Sequence, residues 1–148
     1  MDKKQNVLDL FEENKNFQKL AARRFTFYKM IEHLAQSKPG IIIETGTAWD
    51  RGNWDGQGQS TLIWDWVCTQ MALKAISIDL NPGASETAKT QTNNVEFITG
   101  DSVQALNNMS DENLAKCRLL YLDSYDWSPE ANLDSAFHHM AELAAVWS

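Results

Sequence analysis

Cysteine is scarce in this chain of 148 residues: there are two, Cys68 and Cys117, each alone in an apolar stretch. Two isolated thiols make no disulfide framework and point to reduced core residues in a cytoplasmic protein. The histidines stand at 33, 138 and 139, and no zinc-ligand spacing links them to the cysteines, so no metal is expected. Long apolar runs are also missing. None approaches the ~18 residues that a membrane span requires. The opening stretch, MDKKQNVLDLFEEN, lacks both a long apolar segment and a small-residue cleavage site, which predicts no signal peptide. Internal repeats, low-complexity tracts and linkers are absent too, so a single domain is expected.

Basic charge is scarce in most of the chain. Residues 1–40 hold eight of the 13 basic and five of the 20 acidic residues, whereas 41–148 hold the other five basic and 15 acidic ones. A body this acidic speaks against nucleic-acid binding, which needs clustered Lys and Arg. Acid of this kind keeps a protein soluble; it also suits a site for a cationic ligand. The apolar share of 43% and charged share of 22% are ordinary for a globular protein.

What is present is a change of pattern at Pro39-Gly40. The segment 1–38 reads as helical, with Phe17, Leu20, Ala21, Phe25, Tyr28, Ile31 and Leu34 forming one apolar stripe. From 39 to 148, short apolar runs alternate with helical stretches. Ile41–Ile43, Ala75–Ile78, Val95–Ile98 and Leu119–Leu122 read as strands. Ser60–Leu73, Gly83–Thr90, parts of Asp101–Leu114, and Ser128–Trp147 read as helical. The last has Ser128 as N-cap, Pro129 at the first position, and Ala136, Met140, Leu143 and Val146 as its buried face. Strand–helix alternation predicts parallel pairing and right-handed crossovers. Unbroken apolar strands predict burial on both faces. The expected fold is α/β: a doubly wound, mostly parallel, Rossmann-like sheet of about four strands, preceded by an N-terminal helix. In such sheets ligands bind beyond the carboxyl ends of the strands.

Acids stand at those ends. Glu44, Asp79 and Asp123 close three strands, and Asp101 follows the remaining one after Gly100. Each alone reads as a solvated or capping carboxylate, Asp101 most of all. Together they fall on the edge where a ligand sits. The loop after the first strand carries Gly46, Gly52, Gly56 and Gly58 before Ser60-Thr61 opens a helix; glycines there let a backbone approach a ligand. Trp49 and Trp54 in this loop fit either a lid or simple packing. A phosphate-cradling P-loop is excluded, since no Gly-Lys-Ser/Thr occurs. Gly56-Gln57-Gly58-Gln59-Ser60-Thr61 matches the dinucleotide fingerprint poorly, which leaves a nicotinamide cofactor as a minor alternative. His138-His139 reads as packing or a solvated pair.

The order Glu44-x-Gly46, Asp79, Gly100-Asp101, Asp123 resembles class I S-adenosylmethionine-dependent methyltransferases over roughly residues 37–146. Within them the chain resembles members whose tryptophan-bearing glycine loop ends in Gly-Gln-Ser-Thr, here Gly58–Thr61. The resemblance implies S-adenosylmethionine as cofactor. Glu44, Gly46, Thr47 and Ser60 would stand at its methionine end, Asp79 on the ribose hydroxyls, and Asp101 with Ser102 at the adenine. Asp123 would stand near the methyl group, with Asp123 and Asp126 as catalytic candidates. It implies methyl transfer to a small-molecule acceptor. The alternatives are a non-catalytic protein binding S-adenosylmethionine or S-adenosylhomocysteine, and an enzyme that degrades the cofactor. The family usually has seven strands and this chain supplies about four, so the resemblance implies a short, C-terminally truncated member. The fourth strand would then have a bare edge, covered by a partner chain (a second copy in a homo-oligomer), by the N-terminal helix or by the C-terminal tail.

Overall fold

The computed structural model describes residues 3–56, 59–126 and 128–147. It is an α/β structure with one four-stranded, all-parallel sheet in the order β3-β2-β1-β4. Helices α1 (Lys3–Glu13) and α2 (Arg23–Gln36) precede β1 (Ile41–Thr45). Then follow α3 (Ser60–Met71), β2 (Lys74–Asp79), α4 (Pro82–Lys89) and β3 (Val95–Thr99). Helices α5 (Ser102–Asn107) and α6 (Asp111–Lys116) lead to β4 (Cys117–Leu122), and α7 (Asn132–Trp147) closes the chain. This order is consistent with a Rossmann-like fold. The connection from β3 carries the chain across β2 and β1 to β4, so the direction of winding reverses at β1/β4. Among the described residues, no helix is long and apolar enough to cross a membrane.

Strand alternation divides the core. Ile42 and Ala75 face the helices α1, α2 and α3 in one buried cluster with Phe11, Phe17, Phe27, Ile31 and Trp64, and Leu119 and Tyr121 pack against it. Ile43, Ile76 and Ile78 face the other way, toward Leu106 of α5 and Ala145 of α7. The N-terminal segment thus belongs to the same core as the sheet.

That segment is not one continuous helix. Asn14 Oδ1 accepts from the amides of Asn16 (3.0 Å) and Phe17 (3.4 Å), a local turn that competes with helix propagation. A 3₁₀ turn at Phe17–Leu20 follows, and Ala21 adopts φ 49° before α2 begins. The break shifts the register of the stripe. Phe17, Leu20, Ile31 and Leu34 are buried as expected, but Phe27 is buried in place of Phe25, which is 69% exposed.

The last helix departs further. Ser128 Oγ accepts from the Ala131 amide at 3.1 Å, but this capping turn precedes a helix that begins at Asn132. Its buried residues are Ser135, Glu142 and Ala145. Met140 and Leu143, expected inside, are 64% and 43% exposed, as are Leu133, Phe137 and Trp147 to 67%, 66% and 82%. Ala136 is exposed and Val146 half-buried. Helical spacing alone gives a stripe without saying which side meets the protein, and here the polar side does.

Strand β4 pairs with β1 on one side only, and no other strand among the described residues meets its outer edge. All six of its residues are half-buried. The N-terminal helices pack on one face of β4, with the Phe27 ring 5.8 Å from Tyr121.

Candidate functional site

Strand order places the four acids in a row along the carboxyl edge: Asp101, Asp79, Glu44, Asp123. A cavity of about 170 Å³ opens at the β1/β4 reversal. One wall is the start of the loop after β1, Gly46 to Trp49, with Ser60 of α3. The other is Asp123, Ser124 and Asp126, and Asp79 completes it. Three carboxylates line it and, among its lining residues, no Lys or Arg does.

The walls touch at Gly46. Its φ is +86°, a conformation L side chains seldom adopt, and a Cβ there would lie 2.2 Å from the Asp123 carbonyl oxygen. Glycine is therefore required for the two loops to meet. The neighbouring residues are fixed by hydrogen bonds. The Thr47 amide donates to Asp79 Oδ2 (2.7 Å), and the Ala48 amide to Thr61 Oγ1 (2.8 Å). Asp79 Oδ1 accepts from the Asn81 amide at 2.7 Å. Each Asp79 oxygen thus holds one backbone amide and keeps acceptor capacity for a ligand.

Glu44 lies apart from the other acids. It is 1% exposed, beneath Ser60 rather than in the cavity wall. Its Oε1 accepts from Ser60 Oγ (2.5 Å) and its Oε2 from Ser77 Oγ (2.9 Å). Burial pushes its carboxyl up to about 7, against the lowering effect of the Ser60, Thr61 and Ser77 hydroxyls, while the charge of Asp123 adds a small rise. Ser77 also shares a 2.7 Å hydrogen bond with Thr47 Oγ1, so a hydroxyl chain links Glu44 to the loop.

Asp123 stands at the exposed rim, yet the protein packed around its carboxyl raises its pKa, and Asp126 adds like charge; His139 and Arg23 oppose the rise. Asp101 does not join this cavity. It caps α5, accepting from the Gln104 amide at 2.9 Å, and lines a separate cavity of about 510 Å³ with Gly100 and Ile98. Ser102 is buried, its hydroxyl 3.1 Å from His138 Nε2. Gly58 lies outside the described residues. No group of three or more His, Cys, Asp or Glu among the described residues is arranged to hold a metal ion.

Sequence reading missed several contributors. Ser77 and Thr61 look like ordinary strand and helix residues until the fold brings them to Glu44. Arg23 donates to the Trp54 carbonyl at 3.1 Å, tying α2 to the glycine loop. Leu80, 75% exposed directly after Asp79, offers an apolar surface at the same edge. Ser124, Glu142 and the two histidines were legible only as separate residues.

Fold and cavity together define an α/β protein with an acidic cavity at the reversal point of a parallel sheet. No family model, curated protein or solved structure matches the chain.

Proposed function

We propose that the chain binds S-adenosylmethionine at the β1/β4 reversal and transfers its methyl group to a small-molecule acceptor. The observation that carries this reading is the cavity's charge: Asp79, Asp123 and Asp126 with no lining cation, above a buried Glu44. Such a site favours a ligand that brings positive charge and hydrogen-bond donors, and the proposed cofactor has a sulfonium, an ammonium and two ribose hydroxyls. The cavity has the size of the ligand's amino-acid end. The ribose would meet Asp79, and the adenine would extend past Leu80 toward Asp101 and Ser102. Gly46, Thr47 and Ser60 would form the floor, with Glu44 acting through Ser60 rather than by direct contact. The acceptor's nucleophilic atom would displace the sulfonium sulfur at the methyl carbon, and its proton would pass to Asp123, whose raised pKa suits a base. Alignment would supply most of the acceleration.

A second reading, binding without transfer, is favoured by the cavity's modest size, below the ~300 Å³ usual for small-molecule pockets. Calorimetric titration with S-adenosylmethionine, with NAD as control, tests the shared premise. Micromolar binding of the first alone supports it, and no binding removes both readings. Product formation that requires an added acceptor then separates transfer from mere binding, and product formed from the cofactor alone would indicate its degradation.

The partner we propose for the exposed side of α7 and the β4 edge is a second copy. A two-fold axis normal to the sheet would pair β4 with its mate and bring both α7 helices together over the seam. Leu133, Phe137, Met140, Leu143 and Trp147 expose on the order of 500 Å² per copy. Two copies reach the roughly 1,000 Å² that a specific interface needs. Asp134 is the one charged residue among them on that side, so self-association meets little repulsion. Light scattering at twice the 16.8 kDa chain mass is expected, and a monomer overturns the dimer. A reducing, cytoplasmic setting fits the free thiols Cys68 and Cys117.

A further inference from the structure

Helix α7 is turned inside out. Its solvent side is largely apolar, and the side it buries or half-buries carries Ser135, His138, His139 and Glu142, spaced as one helical stripe that passes to Ala145 and Val146 only in the last turn. A buried carboxylate costs several kcal/mol unless it is well partnered, and apolar residues in its place are often as stable or more so. A polar stripe therefore calls for a reason other than stability.

Its contacts converge on one short segment. Glu142 is fully buried, and its Oε1 accepts from Ser124 Oγ at 2.5 Å, with His138 Nε2 3.4 Å away. Ser135 Oγ donates to the Tyr125 carbonyl at 3.2 Å, and the His138 ring lies 5.6 Å from the Tyr125 ring. His139 acts electrostatically on Asp123. Ser124 and Asp123 are cavity wall, and the Asp123 carbonyl is the atom against which Gly46 packs. On the far side, His138 reaches Ser102 at the start of α5. Two buried atoms of α7 have no hydrogen-bond partner, Glu142 Oε2 and His139 Nε2, and they face each other across 3.9 Å.

We infer that Glu142 is a positioning residue: through Ser124 and the paired imidazoles of α7 it holds the loop 123–126 against Gly46, setting where Asp123 meets a ligand. The role in ligand binding rests on the reading proposed above; the holding of the loop does not.

Chymotrypsin cleavage of the ligand-free protein after Tyr125, with cleavage after the exposed Phe25 of α2 as internal control, tests the hold directly. Glu142→Leu and, from the loop side, Ser124→Ala are each expected to speed cleavage after Tyr125 about tenfold while leaving cleavage after Phe25 unchanged, because cutting follows the population of the locally open form. Glu142→Gln, which still accepts from Ser124, is expected to restore most of the protection. Faster cleavage at both sites, or unchanged cleavage after Tyr125 in Ser124→Ala and Glu142→Leu, overturns the assignment. S-adenosylmethionine affinity measured on the same variants reports on the ligand reading alone. If wild-type protein does not bind it, that reading falls, while the cleavage pattern still decides the role of Glu142.

Discussion

The two faces of the sheet are built differently. One holds a thick aromatic core in which Phe11 and Phe17 stack at 5.1 Å and Trp64 lies 5.3 Å from Phe27 and 5.5 Å from Tyr121. The other holds a thin aliphatic layer, Ile43, Ile76, Ile78 and Leu106, under helices of six residues and an inverted α7. Each face also buries one glutamate. Glu44, on the thick side, has both oxygens occupied by hydroxyls. Glu142, on the thin side, has one oxygen held and one bare. The thick face secures the fold and keeps its glutamate fully satisfied, although the buried Trp64 Nε1 there has no partner. The thin face spends its buried polar groups on a loop.

The comparison is broken or sharpened first by truncation on each side. Trp64→Ala should cost ~3–5 kcal/mol, since the indole is fully buried and ringed by Phe27 and Tyr121. Leu106→Ala should fall near the lower end of the ~2–5 kcal/mol range, because the thin layer can collapse into its space. Urea melts would settle it, and a Leu106→Ala cost equal to that of Trp64→Ala would abolish the distinction between the faces.

The second test concerns pH. Glu44 has its carboxyl at about 7 in the folded chain against an ordinary 4.5, so the folded state binds the extra proton between those values. Its contribution to stability is fully present below pH 4.5 and is lost as pH rises to about 7, a change of up to roughly 3 kcal/mol. Asp123, also raised, acts in the same direction. Glu44→Gln should therefore lose part of the decline that wild type shows between pH 4.5 and 8. Parallel stability curves for the two proteins would mean that the hydroxyl cage holds the charged form without strain.

Much of this was legible in the residues, and the failures have a common physical origin. The four strands and their terminal acids were readable because short apolar runs between helical stretches force parallel pairing, and that pairing alone aligns the strand ends. The N-terminal stripe was misread because Asn14 offers the backbone a competing turn, a local bond that apolar spacing does not register. Apolar spacing puts the wrong side of α7 inside, because hydrophobicity does not by itself mean burial: Ser124, Tyr125 and Ser102 draw the polar side inward. The family resemblance puts Glu44 at the methionine end of a ligand. Only the fold shows that Ser60 comes between it and the cavity, while Ser77 holds its second oxygen. Asp101 was legible as a cap, and is one.

The smallest effect isolates the edge of the sheet from both faces. Asp79 is half-buried and outside either cluster, so Asp79→Ala should unfold at nearly the wild-type denaturant concentration, losing only the loop bonds from Thr47 and Asn81. Affinity for S-adenosylmethionine should nonetheless fall by ~1–3 kcal/mol, the usual worth of charge-assisted hydrogen bonds to a ligand's hydroxyls. Asp101→Ala should weaken it less, because that carboxylate caps α5 and lines the separate cavity. The contrast between the two substitutions is more informative than either value. Equal losses would mean that the ligand spans both cavities. A loss confined to Asp79 would confine recognition to the β1/β4 reversal. Unchanged affinity in Asp79→Ala would leave that carboxylate as a brace for the Thr47 amide, with the ribose bound elsewhere or not at all.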